Sequence, residues 1–252
     1  METRQQLMTI KRCTNFGKAV SLSEVAVSKV VWSLFDGSGY AVLPFAEAGY
    51  KCYCFNSDDA DHGPYSKVKA KHPNITYVNV WLDSSFDFEV VPNIILSFPP
   101  CTDLAVSGAA HFSSKAAKDP EFQNKAVDTA TLAADLGDKY NVPYMIENPV
   151  SVLSSKWRKP DYSFHPYQYG GYLDAEDIHP DFPEYIKPRD AYPKKTCLWV
   201  GNGFNIPVVK PVEVEPGYSL QHSKLGGKSA KTKVVRSLTP RGFAKAVFLA
   251  NQ

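Results

Sequence analysis

Residues 94–98, together with the two prolines and the cysteine that follow, constrain the fold of this chain most strongly. The run Ile-Ile-Leu-Ser-Phe is short and apolar, which predicts a buried strand. Pro99 and Pro100 must end that strand, because neither has an N–H to donate to a neighbouring strand. Cys101 is therefore expected in a stiff loop at the carboxyl end of a buried strand, where open α/β sheets bind their ligands.

Two interpretations of Cys101 are open at this point. A nucleophile benefits from a stiff loop, since attack needs a geometry that is held in advance. A free cysteine can equally be a small buried apolar side chain. The rest of the chain has to distinguish between them.

The chain has 252 residues, enough for one large domain or two small ones. It contains no apolar run of membrane-spanning length and no signal-peptide core, so we expect a cytoplasmic protein with no membrane partner. Its five cysteines are odd in number and form no C-x-x-C pair, which predicts a reducing compartment, no disulfide framework and no metal site. Cys52 and Cys54 fit one face of a strand better than a pair of metal ligands.

The net charge is only +2, but the cations are unevenly distributed. Residues 217–252 contain no Asp or Glu. Clustered cations without counter-charges favour a phosphate partner, although a solvated face would give the same pattern. The basic residues of this stretch are Lys224, Lys228, Lys231, Lys233, Arg236, Arg241 and Lys245.

A strand, a glycine turn and a helix follow one another near the start of the chain. Residues 30–35 read as a buried strand, and a helix over residues 41–48 ends at Gly49. The turn between them contains Gly37 and Gly39, and glycine lets a backbone approach a ligand closely. Such a unit binds nucleotide-like cofactors in α/β sheets.

Further strands are predicted at residues 51–56 and 75–80. An acid at the tip of the second strand commonly holds ribose hydroxyls. Asp58 is our candidate, with Asp59 as the alternative. Either residue could instead be a loop carboxylate in water.

Glu147 is the second candidate catalytic group. Residues 108–118 read as a loop, residues 122–140 as one amphipathic helix and residues 142–146 as a strand that ends at Glu147 and Asn148. The carboxyl ends of parallel strands meet at one edge of a sheet, so Glu147 and Cys101 can converge on one ligand. A buried carboxyl has a raised pKa and stays protonated.

These motifs together resemble the DNA (cytosine-5) methyltransferases. Ser-Phe-Pro-Pro-Cys matches that family's Pro-Cys loop, Glu147-Asn148 its Glu-Asn motif, and Phe35-x-Gly37-x-Gly39 its S-adenosylmethionine loop. The resemblance implies an α/β, Rossmann-like class I S-adenosylmethionine-dependent methyltransferase fold with a small loop-rich DNA-recognition region. It implies that the Cys101 thiolate attacks C6 of a flipped-out cytosine, that Glu147 stabilises the ring at N3, and that C5 receives a methyl group.

The resemblance also assigns roles to residues outside the two catalytic motifs. It implies that Pro99 borders the cofactor and that Asp83 bonds the adenine amino group. The run Lys-x-Thr-Cys-Leu-Trp is similar to phage cytosine methylases, which implies a phage-infected bacterial host. The wider family has Gln-x-Arg-x-Arg here, with an arginine on cytosine O2, so Lys194, Lys195 or Thr196 must replace it.

Residues 236–241 are similar to the family's Arg-x-Leu-Thr-x-Arg-Glu motif, with Gly242 in place of the Glu. In the family this motif organises the base of the recognition domain. About 35 residues separate Trp199 from Arg236, much less than the family uses for recognition. We therefore expect a short or relaxed target sequence.

Residues 14–20, followed by a predicted helix over residues 22–29, resemble the family's last motif, which implies a circular permutation. Lys18 stands where the family has Asn. A cation beside a sulfonium is unfavourable, whereas it would favour a donor that carries a carboxylate. Carboxymethyl transfer from carboxy-S-adenosylmethionine is therefore the alternative to methyl transfer from S-adenosylmethionine.

The predicted organisation has three parts. Residues 1–150 form the cofactor-binding and catalytic core, residues 151–235 a loop-rich basic DNA-contact region with a core strand near 196–200, and residues 236–252 a helix that returns to the core. We expect a monomer whose partner is DNA. The other function classes are an inactive DNA-binding protein on the same scaffold and, less favoured, a small-molecule or RNA methyltransferase.

Overall fold

A seven-stranded mixed sheet forms the centre of the protein in a computed structural model that describes residues 28–58, 68–214, 216, 219–225 and 229–252. The strands stand in the order β3-β2-β1-β4-β5-β7-β6. Their bounds are β1 Val30–Leu34, β2 Lys51–Asn56, β3 Ile75–Asn79, β4 Ile94–Ser97, β5 Tyr144–Pro149, β6 Tyr162–Phe164 and β7 Thr196–Gly201.

Strands β1 to β5 are parallel to one another, and β7 is antiparallel to both β5 and β6. The order 3-2-1-4-5 is that of doubly wound α/β sheets, with crossover helices on both faces. The fold is therefore α/β and Rossmann-like, as the sequence predicts. The predicted core strand near residues 196–200 is confirmed as β7, which enters the sheet between β5 and β6.

Seven α-helices and three 3₁₀ helices are found in the described part of the chain. The α-helices are α1 Leu43–Glu47, α2 Phe112–Ala116, α3 Phe122–Tyr140, α4 Leu153–Lys156, α5 Leu220–Lys224, α6 Ala230–Ser237 and α7 Arg241–Ala250. The 3₁₀ helices are Val106–His111, Pro166–Tyr172 and Pro188–Asp190.

The core lies in two layers, one on each face of the sheet. On β1, Val31 points to one face and Trp32 to the other, because successive strand residues alternate. The first layer packs the sheet against α1 and α7, including Phe45 and Phe243. The second layer packs it against α3 and includes a group of edge-on aromatic rings around Trp32.

A third, smaller cluster joins the loop-rich region to the core. It contains Tyr40, Ile186, Tyr192, Val235 and Leu238. Tyr40 directly follows the glycine turn, and its hydroxyl hydrogen-bonds to the Asp181 carboxylate. The loop-rich region is therefore fastened to the same turn that was predicted to bind a cofactor.

Several predicted elements need correction. Residues 106–116, predicted as a loop from 108, form a 3₁₀ helix and the short helix α2. One strand was predicted in the region after residue 150, and the structure has two, β6 and β7. The basic stretch contains α5 and α6, and β5 extends through Glu147 to Pro149.

Candidate active site

Cys101 lies four residues beyond the end of β4, as the sequence predicts, and its side chain is half-buried. Its main-chain carbonyl accepts hydrogen bonds from the N–H groups of Leu104 at 3.1 Å and Ala105 at 2.8 Å. These bonds close a tight turn directly after the two prolines. The thiol is therefore presented by a loop that is fixed on both sides.

Glu147 lies on β5, the parallel neighbour of β4. Ser97 on β4 is in register with Ile146 on β5, so Glu147 is one residue further toward the carboxyl edge. On the other side Glu147 is opposite Leu198 of β7. The prediction that Cys101 and Glu147 converge at one edge of the sheet is confirmed, since both border the same cleft.

The chain segments that leave β4 and β5 are hydrogen-bonded to each other. Val106 N donates to Val150 O at 3.1 Å, and Val152 N donates to Leu104 O at 2.9 Å. Ala105 and Ser151 form an isolated antiparallel bridge between these bonds. The loop that holds the thiol is thus paired with the segment that follows the carboxyl group, which fixes their relative position.

The cleft that contains both groups, called here the Cys101 cleft, has a volume of about 370 Å³. The predicted site residues that line it are Phe35, Gly37, Pro99, Cys101, Glu147, Lys194, Lys233 and Arg236. Residues that line it without having been predicted include Asp36, Ser38, Phe98, Thr102, Ser107, Phe164, Thr232, Leu238, Thr239 and Phe243.

Burial controls the protonation of the two reactive groups. Burial raises the pKa of the Glu147 carboxyl, and the Lys194 cation opposes this rise. Burial and the neighbouring Glu147 also raise the pKa of the Cys101 thiol, while Lys194 and Arg236 oppose that rise. Burial therefore shifts the carboxyl toward its protonated form, and the nearby cations favour the thiolate form of Cys101.

Lys194 is the member of the Lys194, Lys195 and Thr196 group that faces the cleft. Its ammonium donates to the carbonyl of Arg236 at 2.9 Å, in the last turn of α6. Lys195 is exposed and does not line the cleft, and Thr196 is 2% exposed with its hydroxyl bonded to the Lys194 carbonyl at 3.2 Å. The structure therefore argues against Thr196 as a DNA contact.

The glycine turn borders the Cys101 cleft beside the thiol loop. Phe35 has φ +57°, a conformation that bulky side chains rarely adopt and that is concentrated at functional sites. The flanking backbone holds it there, since Asp36 N donates to Phe55 O at 3.3 Å and Phe98 N donates to Leu34 O at 3.0 Å. The strained residue thus stands where β1 opens into the turn.

Asp36 holds the glycine turn together through hydrogen bonds. The sequence analysis predicted the turn but gave Asp36 no role. Its Oδ1 accepts hydrogen bonds from Ser38 N at 3.0 Å and Gly39 N at 2.7 Å, and its Oδ2 accepts one from the Ser33 hydroxyl at 2.9 Å. Burial raises the pKa of Asp36, and these hydrogen bonds oppose the rise. An Asp side chain in a turn commonly accepts a hydrogen bond from the backbone N–H two residues later. The sequence Asp-Gly-Ser-Gly could therefore have predicted this role for Asp36.

Gly39 has φ +72°, and a Cβ at this position would clash with the Tyr77 hydroxyl. Tyr77 Oη lies 3.0 Å from the carbonyl of Ser38 and 2.8 Å from that of Ala70. The tyrosine therefore supports the turn from β3. Glycine is needed here both for its backbone conformation and for the close approach of the ring.

The two predicted cofactor acids do not line the Cys101 cleft. Asp58 follows β2 and is exposed, and its N–H donates to the Asn79 side chain at 3.0 Å. Asp83 is exposed, and its Oδ1 accepts from Ser85 N at 2.8 Å. Both lie beyond the carboxyl ends of strands on the β1–β2–β3 side of the sheet, away from the reactive groups. The alternative Asp59 lies outside the described residues.

The predicted DNA-binding cations fall into different environments. Lys224 donates to the Glu184 carbonyl at 3.3 Å, and Lys231 donates to the Tyr185 hydroxyl at 2.9 Å with its ammonium 4.4 Å from that ring's centroid. Both lie outside the cleft. Lys233 and Arg236 line it, as stated above. Lys18 and Lys228 lie outside the described residues.

Arg241 has a structural partner. Its guanidinium forms a bidentate ion pair with Asp177, with Nη1 3.0 Å from Oδ1 and Nη2 2.5 Å from Oδ2. The Arg241 and Asp177 side chains are 18% and 15% exposed. Both terminal guanidinium nitrogens are therefore engaged by a carboxylate. This arrangement argues against the predicted DNA contact by Arg241.

Comparisons with known proteins add no assignment. No protein-family model matches the chain, and no curated protein matches its sequence. Among the described residues, no group of three or more His, Cys, Asp or Glu side chains is placed to hold a metal ion. The described helices include none that is both long and apolar enough to cross a membrane.

Proposed function

We propose that this protein modifies cytosine at C5 in DNA, with a covalent bond between Cys101 and C6 of the base as the intermediate. One observation supports this most strongly. A half-buried thiol and a half-buried carboxyl border the same cleft at the carboxyl ends of adjacent parallel strands, beside a glycine turn that is open to a second ligand. The arrangement suits addition of a nucleophile to a ring whose charge is stabilised by an acid.

The residues of the cleft divide the reaction between them. The Cys101 thiolate adds to C6, which moves the electron pair of the C5–C6 double bond toward C5. Glu147, whose pKa is raised by burial, hydrogen-bonds N3 in its protonated form and stabilises the ring as charge develops. After C5 has bonded to the transferred alkyl carbon, a base takes the C5 proton, the electrons of that C–H bond restore the C5–C6 double bond, and the Cys101–C6 bond breaks to return the thiolate.

Lys194 fits the role that the sequence left open between three residues. It borders the cleft, and its positive charge acts on both Cys101 and Glu147. A cation at this position favours the thiolate and can also hydrogen-bond a carbonyl oxygen of the base. We assign it the contact with cytosine O2 that an arginine makes in the family the motifs resemble.

The glycine turn suits a sulfonium cofactor better than a dinucleotide. In phosphate-binding turns the backbone N–H groups point at the phosphates. Here the N–H groups of Ser38 and Gly39 are occupied by Asp36, whose buried oxygens are hydrogen-bond acceptors and would disfavour a phosphate more than a cation. Phe35, Gly37 and Pro99 would hold S-adenosylmethionine, which supplies an activated alkyl carbon. The strand order is consistent with a class I methyltransferase.

DNA is the proposed substrate because three cations line the cleft. Lys194 lies on the segment before β7, and Lys233 and Arg236 lie on α6. Positive charge beside a site for a neutral base is suited to the phosphates on either side of that base. The base must leave the stack before the thiol can reach it.

The direct test is transfer of a radiolabelled methyl group from S-adenosylmethionine to phage and plasmid DNA, with modified cytosines mapped by sequencing. Carboxy-S-adenosylmethionine is tested in parallel, since Lys18 motivates that donor and lies outside the described residues. We expect incorporation at C5 of cytosine that is abolished in Cys101→Ser. DNA binding without transfer from either donor would favour the inactive DNA-binding protein instead.

A further inference from the structure

The two arginines of the Arg-x-Leu-Thr-x-Arg run have different environments. Arg241 is held by Asp177 in a nearly buried ion pair. Arg236, by contrast, is exposed at the Cys101 cleft, and no carboxylate pairs with it in the described part of the chain. The expected structural role therefore falls to Arg241, and the guanidinium of Arg236 is available to a ligand.

Helix α6 directs Arg236 into the cleft. Ser229 caps the helix by accepting from Thr232 N at 3.1 Å. Residues 232, 233, 236 and 237 border the cleft, a spacing that places them on one side of a helix. Val235 points away and is 1% exposed in the small cluster with Tyr192. Because the Val235 side of α6 is packed against the small cluster, the opposite side of the helix, which carries Arg236, faces the Cys101 cleft.

The end of α6 is also tied to the catalytic side of the cleft. Lys194 donates to the main-chain carbonyl of Arg236, and a cation at a helix C-terminus is favourable. The segment that carries Lys194 leads into β7, which pairs with the strand of Glu147. The position of Arg236 relative to the reactive groups is therefore set by hydrogen bonding as well as by packing.

The chemistry of the substrate limits what Arg236 can bind. The base itself is neutral and is served by Cys101, Glu147 and Lys194. The nearest anions in DNA are the phosphates on either side of the target nucleotide. A guanidinium presents paired donors that match a phosphate, and Arg236 lies at the exposed rim of the cleft, where the backbone of an extruded nucleotide must pass.

We propose that Arg236 binds a phosphate adjacent to the target cytosine and so positions the extruded nucleotide over Cys101. This inference rests on the proposed function and assigns a positioning residue to it. Lys233, one turn earlier on the same side of α6, borders the same opening. Lys231, on the same helix but packed against Tyr185 outside the cleft, is a control of equal charge.

The test uses short duplexes with one 5-fluorocytosine at a mapped target site and a neutral methylphosphonate in place of either flanking phosphate. Binding affinity and the rate of covalent trapping with S-adenosylmethionine are measured for each. For the unaltered protein we expect one of the two replacements to weaken binding on the order of tenfold to a hundredfold. Arg236→Gln should lose a similar factor on the ordinary duplex and lose nothing more on that methylphosphonate. Arg236→Lys should recover part of the loss.

The controls separate this contact from general electrostatics. Lys231→Gln removes the same charge and should remain fully sensitive to the methylphosphonate. If Arg236→Gln is as sensitive as the unaltered protein, the phosphate contact is wrong while the covalent chemistry stands. If the unaltered protein forms no adduct on the ordinary duplex with either donor, the proposed function fails and this inference fails with it.

Discussion

The side-chain amide of Asn148 donates a hydrogen bond to the main-chain carbonyl of Pro99, with the two atoms 3.2 Å apart. Asn148 follows Glu147 on β5, and Pro99 lies two residues before Cys101. This bond joins the strand of the acid to the loop of the nucleophile, and both partners are buried. The Asn of the Glu-Asn motif therefore holds the Pro-Pro-Cys loop in place.

Replacing Asn148 by alanine should impair both stability and chemistry. The variant leaves the Pro99 carbonyl buried without its donor, which costs about 1–3 kcal/mol. We expect urea unfolding to show that loss, and covalent trapping on 5-fluorocytosine DNA to slow more than DNA affinity falls.

A matched control for Asn148 lies at the other end of β4. Asn93 accepts a hydrogen bond from Val30 N at 2.7 Å, far from the cleft. Asn93→Ala should destabilise the fold without a specific effect on trapping. Equal trapping rates for the two folded variants would contradict the positioning role of Asn148.

Lys194→Met should move the ionisation of the Cys101 thiol to higher pH. The cation lowers the pKa of both Cys101 and Glu147 against the effect of burial, so its removal raises both. The rate of Cys101 alkylation by iodoacetamide, followed by peptide mass spectrometry across pH, should therefore reach its midpoint at a higher pH in the variant.

Lys195→Met serves as the neighbour control. The charge of Lys195 acts on Cys197 and His165 and is not among the causes of the shift at Cys101. Its alkylation profile at Cys101 should match that of the unaltered protein. A common midpoint for all three proteins would refute the electrostatic role of Lys194.

Gly39→Ala should destabilise the protein more than a Gly→Ala substitution at a position where the new methyl group has no close neighbour. The substitution combines an unfavourable positive φ with a clash against Tyr77, so we expect the free energy of unfolding to fall by more than the backbone strain of about 1–2 kcal/mol alone. Thermal unfolding and calorimetric titration with S-adenosylmethionine measure the two effects.

Gly49→Ala isolates the backbone contribution. Gly49 has φ +91°, but a Cβ there meets no atom within 4 Å. This variant should lose only the stability that corresponds to backbone strain at positive φ, and its affinity for S-adenosylmethionine should not change. If Gly39→Ala binds the donor as well as Gly49→Ala does, the turn is not the cofactor site.

Asp190 should make the fold less stable as the pH rises. Its carboxylate is 1% exposed and accepts from Gly242 N at 2.9 Å, and burial raises its pKa from 3.8 to about 6. The folded-state pKa is higher than the unfolded-state pKa, so the folded protein binds the Asp190 proton more tightly. The stabilisation from this proton is therefore complete below about pH 4 and is lost as the pH rises to about 6. At about 1.4 kcal/mol for each pKa unit, the loss is roughly 3 kcal/mol.

Asp190→Asn keeps an acceptor for Gly242 without the charge. Urea unfolding at a series of pH values should give equal stabilities near pH 4, with the variant gaining on the unaltered protein up to pH 7. A difference between the two proteins that does not change with pH would contradict the raised pKa.

Local patterns were sufficient to predict much of the sheet and its longest helix. The bounds of β2 and α3 match the predicted ranges 51–56 and 122–140, because strand burial and helical periodicity are strong in both. The convergence of Cys101 and Glu147 followed from the rule that the carboxyl ends of parallel strands meet at one edge of a sheet. These features depend on residues that are close in sequence or on a general rule of parallel sheets.

Features that depend on distant partners could not be predicted. Helix α6 has few apolar residues, and its inner face is defined by contacts with the loop-rich region. The partner of Arg241 is Asp177, 64 residues earlier, so nothing near Arg241 indicates that its charge is already paired. Lys194 lines the cleft and Thr196 does not, and this difference depends on the orientation of the segment that precedes β7, which the sequence does not indicate.

The most direct test of the central claim is the intact mass of the protein after reaction with a 5-fluorocytosine duplex in the presence of each donor. We predict a covalent protein–DNA adduct that is absent in Cys101→Ser and retained in Cys197→Ser, which removes a buried thiol of β7. The added mass also identifies the transferred group as methyl or carboxymethyl. DNA binding with no adduct from either donor would contradict the account.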